Sequence, residues 1–151
     1  MSGNIRRAPA TRLLLCISIL IFSGCSQTVQ PLGYGSVSCS YCKMQLEDRR
    51  FGGEIVTRYG RIYQFDDEPC LVHFMKSLSP QLKLKAKIYV ADAAHNGKLI
   101  PAETATYFCT DQLVSPMNGN TMAFSNKAEM QIMIENLPGK VSQWSDILQK
   151  F

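Results

Sequence analysis

The apolar and polar positions of the chain predict short strands and helices in alternation. Two β-rich runs, residues 54–59 and 61–65, flank Gly60 and predict a hairpin. Residues 66–69 then supply an N-cap, acidic first-turn residues and an early proline, and the apolar spacing that follows predicts an amphipathic helix. Residues 86–92 predict a further strand, so strands and helices are mixed along the chain.

A repeat relates residues 60–67 to residues 119–126. Each segment places a phenylalanine five residues after a glycine, adds two polar residues and leads into an apolar helix. The spacing predicts two small, related ββαβ-type lobes, although a chance likeness at a strand-to-helix junction is the alternative. One lobe alone would bury too little apolar surface to be stable, so we expect an α+β fold with the lobes packed together.

The start of the chain has the pattern of a secretion signal. Three arginines within the first 12 residues precede the apolar run 13–22, which is short for a helix that crosses a bilayer. The run ends in Phe22-Ser-Gly-Cys25, which resembles the lipobox of bacterial lipoproteins. We therefore expect residues 1–24 to be a signal peptide and Cys25 to be lipidated. A signal peptide followed by a stray cysteine is the alternative.

Lipidation would anchor the protein to a membrane, facing the periplasm. Ser26 follows the cysteine where an aspartate would indicate retention at the inner membrane, so the pattern favours the outer membrane. Residues 25–38, with two glycines and little hydrophobic patterning, predict a tether.

Composition and charge exclude several functions. The chain has 151 residues, 46% of them apolar and 19% charged, which suits one globular domain or two very small ones. Without the leader, the chain has 13 basic and 12 acidic side chains and no run of basic residues, so we expect no nucleic-acid partner. The sequence shows no ordered catalytic triad, phosphate-binding glycine loop or pair of catalytic carboxylates, and we expect no enzymatic activity.

Three sulfur side chains lie within six positions, in Cys39-Ser-Tyr-Cys42-Lys-Met44. In an exported protein this Cys-x-x-Cys pair is compatible with a disulfide, a redox-active pair, half of a zinc site or a copper site. Met44 favours copper(I), because soft thiolate and thioether ligands select it and zinc sites rarely use thioether. Lys43 is expected to favour the ionised form of the neighbouring thiol. Cys70 and His73 are neighbours on the predicted helix and are weaker candidates.

Five short motifs follow one another along the chain: Cys39-Ser-Tyr-Cys-Lys-Met44, Phe65-Asp-Asp67, Tyr89-Val-Ala-Asp92, Ser115-Pro-Met117 and Ala123-Phe124. This ordered set resembles the NosL family of lipoproteins. The resemblance runs from about Cys39 to Trp144.

The resemblance implies a periplasmic, membrane-anchored copper(I) chaperone associated with assembly of the copper centres of nitrous-oxide reductase. It also implies a fold of two similar ββαβ-type lobes, here residues 39–92 and 93–151. A copper-accepting enzyme is the expected partner, and nitrous-oxide reductase is the client that the family suggests.

The carried-over ligand candidates are Cys42, Met44 and Met117, and Cys39 is a further candidate. If residues 42–44 are extended, both of their sulfurs point to one face. Met117 would arrive from the second lobe, so copper would lie between the lobes. Many family members have glycine where Lys43 stands here. Cys39, Cys70 and Cys109 are open to ligation or to disulfide pairing.

The competing hypothesis is a periplasmic thiol-disulfide redox protein that uses Cys39 and Cys42. An active pair of that kind normally opens a helix after a strand in a thioredoxin-like βαβ unit, whereas hairpins are predicted here. A structural lipoprotein with two disulfides is a third alternative.

Overall fold

The computed structural model describes residues 29–151, and the predicted signal peptide and Cys25 lie outside them. In residues 29–151 no helix has the length and apolar character needed to cross a membrane. The elements are β1 (Gly53–Val56), β2 (Ile62–Phe65), α1 (Glu68–Ser77), α2 (Pro80–Lys83), β3 (Lys87–Asp92), a 3₁₀ turn (Ala93–His95), β4 (Lys98–Pro101), β5 (Thr106–Cys109), β6 (Thr121–Phe124), α3 (Lys127–Met133), β7 (Lys140–Ser142) and α4 (Trp144–Lys150).

All of these strands belong to one mixed sheet. The strand order is β2-β1-β3-β6-β5-β7, and β4 also pairs with β3. β1 and β2 pair antiparallel from Gly53–Phe65 to Val56–Ile62, which confirms the predicted hairpin. β3 joins β6 through the parallel pair of Asp92 and Ala123, so two groups of strands meet there.

The fold is α+β, as predicted, and its element order shows an internal likeness. Apart from the short helix α2, which lies between α1 and β3, the order β1-β2-α1-β3 in the first half returns as β5-β6-α3-β7 in the second. One hydrophobic core includes Ile55 and Leu71 from the first half and Tyr107 and Ile147 from the second, all fully buried. The two halves therefore share a core, and their division into two lobes stays a prediction.

The chain after Gly139 differs from the sequence-based prediction. The amphipathic pattern of residues 142–148 predicts a short closing helix, but Ser142 ends β7 and the helix α4 begins at Trp144. β7 pairs with β5, with Ser142 opposite Tyr107. Lys140 and Val141 of this strand are exposed, so no alternation of buried and exposed positions marks it in the sequence.

The described part of the predicted tether, residues 29–38, packs onto the sheet. Leu32 is 6% exposed and belongs to the core. The side chain of Gln64 accepts a hydrogen bond from the Gly33 N–H at 3.0 Å and donates one to the Pro31 carbonyl at 3.1 Å. Residues 31–33, which were predicted to belong to the tether, are therefore part of the folded body, because the β2 side chain supplies partners for their backbone.

Asp67 joins the start of α1 to the loop of residues 115–119. Its Oδ1 accepts the Glu68 N–H at 2.9 Å as the N-cap of the helix. Its Oδ2 accepts three further hydrogen bonds, from the Ser115 hydroxyl at 2.5 Å, the Met117 N–H at 2.8 Å and the Gly119 N–H at 3.3 Å. Asp67 is fully buried, so these donors replace the water that its carboxylate loses on folding.

We expect Asp67→Asn to lower the free energy of unfolding by about 2–3 kcal/mol, because a neutral amide accepts these bonds less strongly and places a donor among donors. Chemical denaturation of the purified protein measures this change. The control is Asp111→Asn, at an exposed position, which should change the stability little. Equal stability of both variants would contradict the joining role of Asp67.

Candidate metal centre

Four metal-binding side chains meet beside the start of α1. The sulfurs of Cys39, Cys42 and Cys70 and a carboxylate oxygen of Asp66 all lie within 4.8 Å of one another. A metal–sulfur bond is about 2.3 Å long, so two sulfurs on opposite sides of one ion are about 4.6 Å apart. Cys39, Asp66 and Cys70 are buried, whereas Cys42 is half-buried. The cluster can therefore surround a single ion, and Cys42 is its most accessible thiol.

A tight turn presents Cys39 and Cys42 to the cluster. The Cys39 N–H donates to the Met44 carbonyl at 2.7 Å, and the Lys43 N–H donates to the Cys39 carbonyl at 3.1 Å. Lys43 has a φ of 71°, in the left-handed region that favours glycine. Residues 42–44 are therefore not extended, because the chain reverses at Lys43, and the condition under which the Cys42 and Met44 sulfurs would point to one face is not met.

Asp66 and Cys70 come from the junction between β2 and α1. Asp66 follows the last residue of β2, and Cys70 lies in the first turn of the helix. The Cys42 thiol donates to Asp66 Oδ2 at 3.2 Å, while Asp66 Oδ1 is buried without a hydrogen-bond partner. An unpartnered buried oxygen costs free energy, so this oxygen is suited to bind a cation.

Hydrogen bonds and burial give the three thiols different proton affinities. The Cys70 thiol donates to the Cys39 sulfur and, together with backbone N–H groups of Asp66 and Cys42, lowers the pKa of Cys39 to about 6. Burial raises the pKa of Cys42 to about 11. The hydrogen bond to Cys39 raises the pKa of Cys70 as well. At neutral pH the metal-free site therefore holds one thiolate, on Cys39, and two thiols.

Lys43 does not have the predicted effect on the thiols. Its ammonium group donates to the Ser40 carbonyl at 2.7 Å. The pKa of Cys42 is raised by burial, with Asp66 and Cys39 adding to the effect. The expectation that Lys43 favours the ionised thiol is therefore wrong for Cys42, because burial and neighbouring acidic groups determine its proton affinity.

The two predicted methionine ligands, called the rim methionines below, have exposed side chains. Met44 is 49% exposed and Met117 is 37% exposed. The Met44 N–H donates to the Cys42 sulfur, and the Met117 N–H donates to Asp67, the neighbour of Asp66 in the chain. The backbone of both methionines is thus held beside the cluster, and their role as ligands stays a prediction.

Asp66 is the member of the cluster that sequence reasoning missed, because an acidic residue before a helix was explained as a cap. Cys70 was a weaker candidate, and the structure brings it into the cluster. His73, its neighbour on the helix, instead stacks on Tyr41 with ring centroids 5.7 Å apart. Cys109 lies in β5, with its sulfur 3.4 Å from the Thr121 hydroxyl.

The metal-free protein should gain thiolate ultraviolet absorbance as the pH rises through about 6, where Cys39 ionises. Cys39→Ser should remove this step. Cys70→Ala should move it to higher pH, because the S–H donor that stabilises the thiolate is lost. Cys109→Ala is the control and should leave the step in place. A step that survives in Cys39→Ser, or that does not move in Cys70→Ala, would contradict this assignment.

Comparison with known proteins finds a similar fold and a family match that includes the residues of the cluster. No curated protein matches the chain. The crystal structure of the copper chaperone NosL from Shewanella denitrificans is similar, with a TM-score of 0.64 and 22% sequence identity over 83% of this chain and 99% of that one. At this identity the likeness shows a shared fold. The NosL family model matches residues 34–151, which include the whole cluster, and the chain therefore belongs to the NosL family.

Proposed function

We propose that this protein is a copper(I)-binding metallochaperone that delivers its ion to a copper enzyme such as nitrous-oxide reductase. The observation that carries the proposal is the convergence of three thiols on one point in a chain of the NosL family. Thiolates are soft ligands and favour copper(I) over hard cations. The similar solved protein is itself described as a copper chaperone. Copper is a cargo in this proposal, and no catalytic step is assigned.

Cys42 is the central ligand of the proposed site, supported by Cys39, Met44 and Met117. Cys42 is the half-buried thiol of the cluster, and Met44 follows it by two residues. Met117 belongs to the second half of the chain, and its loop is attached to Asp67 in the first. Copper would therefore lie near the contact between the proposed lobes, residues 39–92 and 93–151.

The competing redox function is less well supported by the properties of the same thiols. Thiol-disulfide exchange needs an attacking sulfur that is both ionised and accessible. Cys39 has the lowered pKa but is fully buried, and Cys42 is more accessible but has a pKa raised to about 11. Neither cysteine combines the two properties, which favours a carrier over an exchange enzyme.

The protein should bind one copper(I) per chain, and Cys42→Ser should cost the most affinity. Loss of this ligand should exceed the roughly 10–100-fold cost seen for groups that only support a ligand. Met117→Leu should cost about tenfold or less, because a thioether binds more weakly than a thiolate. Anaerobic titration of the reduced protein against a chromophoric competitor, with zinc(II) in parallel, measures these affinities.

Two matched variants control for general effects of substitution. Cys109→Ser removes another half-buried thiol, and Met133→Leu removes another methionine, which is 43% exposed. Both should keep the affinity of the unchanged protein. A preference for zinc(II) over copper(I), or unchanged affinity in Cys42→Ser, would rule out the proposed carrier.

The proposed carrier is a lipoprotein anchored through Cys25, facing the periplasm on the outer membrane. In a bacterium that processes lipoproteins, Cys25→Ala should move the protein from the membrane fraction to the soluble fraction, because the lipid chains provide the attachment. Cys16→Ala, which changes the cysteine inside the signal peptide, is the control and should not alter the distribution. Immunoblots of the two fractions measure it. Retention of Cys25→Ala in the membrane would contradict the anchor.

A further inference from the structure

We propose that copper(I) occupies two positions in this site, an inner one between Cys39 and Cys70 and an outer one at Cys42 with the rim methionines. The inference rests on the proposed copper-carrying function and assigns the regulation of the same site. Cys42 belongs to both positions and passes the ion between them. The inner position stores copper, and the outer position hands it over.

The burial of the sulfurs separates the two positions. Cys39 is 0% exposed and Cys70 is 1% exposed, whereas Met44 and Met117 lie at the surface and Cys42 is between these extremes. Copper moves between proteins when an incoming ligand reaches the bound ion. An ion held by Cys39 and Cys70 is shielded from such a ligand, so transfer to a partner must begin at Cys42 and the methionines.

The inner position is prepared for a negatively charged complex. Three thiolates around copper(I), from Cys39, Cys70 and the shared Cys42, leave two net negative charges, which are costly in a buried site unless dipoles stabilise them. The Cys39 sulfur accepts hydrogen bonds from the backbone N–H groups of Asp66 and Cys42. Cys70 lies in the first turn of the ten-residue α1, whose N-terminal end favours negative charge. These groups support a tightly held ion between the two buried sulfurs.

The outer position binds more weakly. It offers one thiolate, and its other sulfurs are neutral thioethers. Asp66 holds Cys42 by a 3.2 Å hydrogen bond, so this thiol faces the inner sulfurs, and it is the half-buried member of the cluster. The outer position is therefore suited to release rather than storage.

Movement between the positions is a ligand exchange without electron transfer. The copper–sulfur bonds to Cys39 and Cys70 break, the bond to Cys42 remains, and bonds to Met44 and Met117 form. The Cys70 thiolate takes up a proton from solvent, while copper stays monovalent throughout. Each sulfur that leaves the ion is replaced by another, so the ion is never without ligands.

Two measurements on the reduced full chain in detergent test the proposal. Competition titration gives the copper(I) affinity, and stopped-flow absorbance gives the rate of transfer to bathocuproine disulfonate, a chelator too bulky to enter the buried pocket. Cys70→Ser should lower the affinity at least about tenfold and speed the transfer, because the ion is displaced outward. Met117→Leu should slow the transfer and lower the affinity less than Cys70→Ser does.

Cys39→Ser provides a second variant of the inner position and should change both quantities in the same direction as Cys70→Ser. Cys109→Ser is the matched control, with affinity and rate unchanged. Inner variants that match this control, or that lose affinity without faster transfer, would overturn the inner position while leaving a copper carrier in place. If the unchanged protein bound no copper(I), the proposed function itself would fail.

Discussion

The buried carboxylate of Asp67 is the contact on which the arrangement of this protein depends. It caps α1 and also accepts hydrogen bonds from the loop that carries Met117, so two segments 50 residues apart share one acceptor. A buried carboxylate is stable only while its oxygens stay hydrogen-bonded, and the loop must therefore remain on the helix start. Because Asp66 precedes this residue and Cys70 follows it by three, the same contact determines where the metal-binding side chains lie.

The surroundings of the cluster fit the proposed capture and release of a metal ion at one small site. Backbone N–H groups and the Cys70 thiol keep Cys39 ionised before any metal arrives, so capture of an ion does not first require loss of that proton. Cys42 keeps its proton until an ion displaces it, because burial raises its pKa. A fully buried thiolate beside a half-buried thiol would bind the metal ion strongly at one end of the site and leave it accessible to a partner at the other.

Local sequence signals predicted much of the fold correctly. The predictions failed for the segments that have no such signal. The hairpin around Gly60 and the helix after Asp67 were predicted correctly, because a glycine turn and an N-cap act over a few residues. β7 was missed because an exposed three-residue strand has no pattern of its own. Leu32 was assigned to a tether, since nothing nearby in the chain shows that Gln64 would bind its neighbours.

The sequence by itself determined the α+β class, the family and the presence of soft ligands in Cys39, Cys42 and Met44, because these follow from residue types and their order. Only the tertiary structure decided which groups share the site. Asp66 and Cys70 join the turn through long-range packing, and the left-handed φ of Lys43 reverses the chain between Cys42 and Met44. The tertiary structure also decided which thiol is ionised, since burial and hydrogen bonds between distant segments exist only in the folded chain.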